Sequence, residues 1–170
     1  MKTLATFLLW LAVAIAQPDR FALPRCPAHT LDHSLFQLCY DSTLKTPLWA
    51  GYELKASQPA PARTRPVFRR DPLHPSSASN LDYRRSGFSR GHLVPAADSA
   101  YSEEAHRGTF LLTNVVPQLQ SVNAGHWREL ENAVRRLAEY SDALYIFTGP
   151  LLDSAPMTIG PSRIPVPSQL

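Results

Sequence analysis

Three short blocks of this chain hold side chains able to break a phosphate ester. They are Ser89-Arg90-Gly91-His92-Leu93-Val94-Pro95-Ala96, then Phe110-Leu111-Leu112-Thr113-Asn114-Val115-Val116-Pro117-Gln118, then Asn123-Ala124-Gly125-His126-Trp127-Arg128-Glu129-Leu130-Glu131. Cutting a phosphodiester needs an activated water, stabilisation of charge on the phosphorane and help for the leaving oxygen. A neutral imidazole takes a water proton near physiological pH, which makes His92 the candidate base. Gly91 before it permits a tight backbone or the close approach of a phosphate. Arg90 supplies a guanidinium fork that matches phosphate oxygens. A hard cation such as Mg2+ takes oxygen ligands and keeps several waters. Asn123 offers it one neutral carbonyl, leaving the ion's charge for the transition state. Glu131 follows about 80° further round an ideal helix, placed to hold a metal-bound water. Asn114 and Gln118 are read as hydrogen bonders that fix His92 and the start of the helix. Alone, His92 would be a surface or satisfied histidine and Asn123 a helix cap; the order of the blocks argues for chemistry.

These side chains need elements to hold them. Leu48–Leu54 alternates and carries aromatics, as a strand does. Gln58–Asn80 is rich in Pro, Ser, Ala and Arg and reads as a long surface loop. Phe88–Leu93 reads as a short strand holding His92, Ser102–Arg107 as a helical turn, and Phe110–Val115 as a strand stopped by Pro117. Asn123–Tyr140 is the clearest helix, with Asn123 at its N-cap and Leu130, Val134 and Leu137 as its buried stripe. Trp127 is assigned to the core and His126 to the surface. Ala143–Phe147 and Arg163–Val166 supply further strands. The order implies an α+β fold with a mostly antiparallel sheet.

Over about Pro47–Pro167 the three blocks resemble the DNA/RNA non-specific endonuclease family, the ββα-metal nucleases that include endonuclease G. The resemblance implies the ββα-metal fold, with the catalytic helix packed on the sheet. It implies His92 as general base, Asn123 as magnesium ligand, Glu131 as the water-holding acid and Arg90 beside the scissile phosphate. Arg65 lies near the family's second phosphate-contacting arginine. The implied cofactor is Mg2+, with Mn2+ as a substitute ion, and the implied partners are DNA and RNA. Many members carry Asp where this chain has Ser89; the exonuclease-like relatives of endonuclease G resemble it in having Ser. Members also run on through further strands after the segment matching Ile164-Pro165-Val166-Pro167, so the nuclease domain is expected to lack its last strands.

The whole chain sets the wider expectations. Residues 1–16 read as a signal peptide: Lys2, an apolar Leu4–Ile15 run and an A-x-A site at Ala14-Ile15-Ala16. That implies a secreted or periplasmic protein with no membrane attachment after cleavage. Residues 17–46 read as an N-terminal arm and 47–170 as the nuclease domain. Export favours a Cys26–Cys39 disulfide over two free thiols or a zinc site built with His29 and His33. The formal net charge of +3 suits a polyanionic substrate. Arg63, Arg65, Arg69, Arg70, Arg84, Arg85 and Arg90 all lie in the segment leading to His92. The expected function is hydrolysis of DNA and RNA. The rivals are an inactive relative that binds nucleic acid without cutting it and an esterase for another phosphodiester. Oligomeric state stays open, a dimer included.

Overall fold

The structure, a computed structural model, describes residues 23–33, 35–56 and 66–170. The expected leader and both Arg63 and Arg65 fall outside them. In chain order the described residues form β1 (His29–Asp32), β2 (Phe36–Asp41), β3 (Thr46–Leu54), α1 (Asn80–Tyr83), β4 (Ser89–His92), α2 (Glu103–Thr109), a 3-10 turn (Leu112–Asn114), β5 (Val115–Gln118), α3 (Gln120–Asn123), α4 (His126–Ala138), β6 (Leu144–Thr148), β7 (Thr158–Ile159) and β8 (Ile164–Pro165). Strands β1-β2-β3-β6 make one sheet, β4-β5 a second and β7-β8 a third. Every strand pair is antiparallel. The α+β expectation and the ββα unit, here β4, β5 and the helices after them, are therefore both present.

β2 is the centre of the main sheet. Its alternate residues Phe36, Leu38 and Tyr40 are buried, because successive side chains of a strand face opposite sides. With Ala50, Tyr52 and Leu54 of β3 they form a core that also takes Leu93, Val94, Val116 and Ala138. Each large apolar side chain buried this way contributes about 1.5–3 kcal/mol. Residues 29–41, expected within an arm, thus belong to the sheet that shares its core with the β4–β5 hairpin. A second core, of Ala78, Tyr83, Leu112, Val115, Ile159 and Ile164, ties β5 to the β7–β8 hairpin. Cys26 and Cys39 are joined by a disulfide, with Cα atoms 5.4 Å apart. Both thiols being consumed, the zinc alternative is not formed.

The helix expected over Asn123–Tyr140 is two helices. α3 ends at Asn123, Gly125 caps α4, and Asn123 is not an N-cap. The break sits at Gly125, where a Cβ would collide with the carbonyl oxygen of Ser121. The expected buried stripe is also corrected: Leu130 is 52% and Leu137 57% exposed. Trp127 and Ala138 are the buried residues of α4, with Val134 packed against the core and Glu131 and Arg135 half-buried. Two stripes of α4 carry apolar groups, and the one holding Trp127 and Ala138 is the buried one. Pro117 does not stop a strand but lies within β5, opposite Arg90. A two-stranded ribbon tolerates it because proline needs no partner on an outer edge. Leu112–Asn114, expected as strand, form the 3-10 turn.

Candidate active site

The site begins on β4. Arg90 and His92 stand two residues apart and so project to the same face of the strand. Gly91 between them is paired with Val116. A Cβ there would lie 2.9 Å from Gln118 Cβ and closer still to Gln118 Oε1. The glycine therefore admits the Gln118 side chain. Just beyond His92 the chain is pinned by Asn114, which is fully buried. Its Oδ1 accepts from Val94 N at 3.0 Å and its Nδ2 donates to Val94 O at 3.1 Å and Thr109 O at 3.0 Å. Asn114 thus ties the Val94 backbone, two residues beyond His92, to the end of α2. Gln118 covers Gly91, but its Oε1 and Nε2 find no hydrogen-bond partner among the described residues.

Aromatic rings enclose the imidazole. The Phe68 and Phe110 ring centres lie 5.1 and 5.0 Å from that of His92. Phe68 also faces the Arg90 guanidinium at 5.3 Å, and Tyr83 faces it at 5.4 Å. His92 Nε2 and Arg90 Nε are both shut from solvent, with no hydrogen-bond partner among the described residues. Burial, reinforced by the nearby His106, pushes the His92 imidazole down to about 4. His106 itself is fixed by a 3.0 Å hydrogen bond between Nδ1 and Ala96 O.

α3 lies beside β4, where Ser89 Oγ donates to Gln120 Oε1. Asn123 closes α3, and its side chain forms no hydrogen bond with a described residue. Glu131 lies on α4 among groups that sequence reasoning missed. Asp98 is buried and accepts from Tyr52 Oη at 2.7 Å and from Arg135 Nη1. Arg135 Nη2 is 4.0 Å from Glu131 Oε2. Burial raises the Glu131 carboxyl to about 7; Arg135 opposes the rise and Asp98 adds to it. The structure thus groups Arg90 with His92, and Glu131 with Arg135, Asp98 and Tyr52. The break at Gly125 removes the continuous helix from which a shared Asn123–Glu131 face was expected. Arg65 lies outside the described residues.

The donors suit a hard cation. Among the described residues no cluster of three or more His, Cys, Asp or Glu could hold a metal. A site here would rest on the Asn123 carbonyl and water, the ligand type that Mg2+ accepts because it dehydrates reluctantly. Buried polar atoms without partners on Arg90, His92 and Gln118 mark the same strand pair as the place where a polar ligand would be satisfied.

A β-hairpin followed by helices, with Arg90 and His92 on one strand, Asn123 on α3 and Glu131 on α4, is a ββα-type arrangement. Residues 21–170 match the model of the DNA/RNA non-specific endonuclease family, and the chain belongs to that family. It is 37% identical over 165 residues to the mitochondrial nuclease EXOG of Danio rerio, covering 89% of this chain and 48% of that protein. It is 37% identical over 120 residues to human mitochondrial endonuclease G, covering 68% of this chain and 40% of that one. A solved endonuclease G, in complex with the inhibitor EndoGI, superposes with a TM-score of 0.75 at 31% identity, over 83% of this chain and 64% of that one. The chain therefore spans about half the length of the relatives it matches. The comparisons overturn the secreted or periplasmic location: EXOG, endonuclease G and a Saccharomyces cerevisiae relative are all mitochondrial nucleases. An apolar run behind one lysine does not by itself say which compartment is reached.

Proposed function

We propose that this protein hydrolyses phosphodiester bonds of DNA and RNA. The observation that carries the reading is the enclosed, unpartnered His92 Nε2 beside Arg90 on the β4–β5 hairpin of a chain in this family. His92 is the general base, and its depressed basicity keeps it neutral, hence able to accept a proton, throughout the neutral range. Its Nε2 takes a proton from the attacking water as the water oxygen bonds to phosphorus. The P–O3′ bond breaks and the leaving O3′ takes a proton from solvent water, giving a 3′-hydroxyl and a 5′-phosphate. Arg90, held by the faces of Phe68 and Tyr83, presents its guanidinium to the phosphate oxygens. Asn123 would hold a Mg2+ ion through its carbonyl, and Glu131 would hold a water in that ion's shell. When bound, the ion supplies charge neutralisation at the phosphorane and at the leaving oxygen. Asn114 keeps His92 in place through the Val94 backbone.

The test incubates the purified chain with plasmid and with RNA, in Mg2+ and in EDTA. Both substrates should be cut in Mg2+ alone, and His92→Ala should slow cutting by about 10²–10⁴. A His92→Ala protein as fast as the parent would refute the base. A parent that retains DNA without cutting it would instead establish a binding protein.

A further inference from the structure

Among the described residues, the three that have left-handed backbone without being glycine are all basic: Lys45 (φ 52°), Arg85 (φ 55°) and Arg163 (φ 55°). A side chain in that region costs roughly 1–2 kcal/mol that glycine avoids. Strain kept at such positions points to a use for the side chain. The three cations come from turns far apart in sequence, β2–β3, α1–β4 and β7–β8; Asp82 of α1 binds the β7–β8 turn at Ser162, and Lys45 brings the β2–β3 turn to the same serine. Asp82 accepts from Ser79 N at 2.8 Å and from Ser162 N at 2.7 Å, bonds that hold it below the usual carboxylate range against its burial. Lys45 Nζ donates to Ser162 Oγ at 3.2 Å. Arg85 follows Asp82 by three residues, and Arg163 follows Ser162 directly. Arg84, Arg85 and Arg163 are exposed, and none forms a side-chain hydrogen bond or ion pair with a described residue. The acid in the Lys45 turn, Asp41, is occupied by the backbone N–H groups of Thr43 and Leu44. The cluster also connects to the hairpin, since Tyr83 carries the Arg90 guanidinium on its face at 5.4 Å. Arg85 lies five residues from Arg90, at most about 18 Å even if extended. At about 3.4 Å of rise per nucleotide, that is a reach of roughly five nucleotides.

We propose that Lys45, Arg85 and Arg163, with Arg84 next to Arg85 in the chain, form a phosphate-tracking surface that grips the nucleic-acid backbone a few nucleotides from the scissile phosphate and favours long substrates over short ones. The identity of the polyanion rests on the nuclease reading.

The test uses the full chain and the double variant Arg85→Gly/Arg163→Gly, which removes two charges and relaxes both backbones. Binding to a long duplex is measured in EDTA across a salt series, and cutting is measured in Mg2+. The salt slope should fall by about 0.9 for each cation lost. KM for the long duplex should rise with kcat kept, a dinucleotide-length substrate should be cut as before, and the melting temperature should hold or rise. An unchanged slope with an unchanged KM would overturn the proposal. A lower melting temperature would assign the arginines to the fold and overturn it too. So would loss of binding to anionic phospholipid vesicles with the duplex slope intact. A parent that binds but does not cut, with the slope reduced in the variant, would sink the reaction and leave the surface standing. A parent that cuts, with the slope unchanged in the variant, would do the reverse.

Discussion

His92 and Glu131 are displaced from their ordinary values in opposite directions, and each displacement has a thermal signature. His92 titrates at about 4 in the fold against an ordinary 6.5. Between those values the unfolded chain binds a proton that the folded chain refuses, so stability falls as pH drops through that window. Glu131 sits at about 7 against 4.5. Here the fold holds a proton that the unfolded chain releases, so stability falls as pH rises from 4.5 to 7. His92→Gln should flatten the acid side of a melting-temperature profile, and Glu131→Gln the neutral side. A profile unchanged by either substitution would refute that environment. Asn123→Ala should cost more activity than Glu131→Ala and weaken the dependence on Mg2+. Loss of a group acting through water typically costs about 10–100-fold. A Mg2+ titration of both variants checks the order, and the reverse order would exchange their roles. The shared face of Arg90 and His92 could be read from the sequence, because a two-residue spacing on one strand dictates it. Asp98, Arg135 and Tyr52 could not, because their bonds join residues 37 and 46 positions apart. Phe68 was passed over because its loop looked too polar to touch a core.

At the scale of elements the joint at Gly125 decides where Asn123 stands relative to Glu131. Gly125→Ala forces a Cβ onto the Ser121 carbonyl, a backbone atom that cannot swing away. The expected cost is about 1–3 kcal/mol, with a rise in the Mg2+ concentration needed for half-maximal cutting. A variant with parental melting and parental Mg2+ dependence would mean that the joint sets neither. Asn114→Ala would leave the Val94 N–H and two carbonyls unsatisfied in the interior. Each unsatisfied group costs about 1–3 kcal/mol, so urea unfolding should shift strongly, and a shift within error would contradict the pinning role. The strand, strand, helix order was visible in the sequence. The packed face of α4 was not. Its periodicity fits two stripes, and the sheet takes the one holding Trp127 because its charged members, Glu131 and Arg135, lie beside Asp98.

For the molecule as a whole, the expectation drawn from export and the structure agree on the Cys26–Cys39 bond, although the location that motivated it is corrected. Reduction should lower stability by roughly 3 kcal/mol, the entropic value for so short a closed loop. Mass spectrometry of the unreduced protein should find it two hydrogens lighter than the reduced form. Titration of two free thiols in the purified protein would remove the bond from the account.

The place of β2 between β1 and β3 has a consequence for how the molecule opens. Asp71, almost fully buried, accepts from Thr113 Oγ1 at 2.6 Å and Leu73 N at 2.8 Å and lies 3.0 Å from His33 Nε2. That one carboxylate joins the β1–β2 connection, the segment before α1 and the 3-10 turn leading into β5. The N-terminal hairpin therefore cannot detach while the hairpin carrying His92 stays folded. Amide exchange at Leu38 and Tyr40 should proceed only through global unfolding, at the same rate as at Val116. The short β7–β8 hairpin should exchange far sooner, by local opening. A protein cut back to residue 47 would lose β1 and β2, half the strands of its main sheet, and with them the Phe36, Leu38 and Tyr40 side of the core shared with the β4–β5 hairpin.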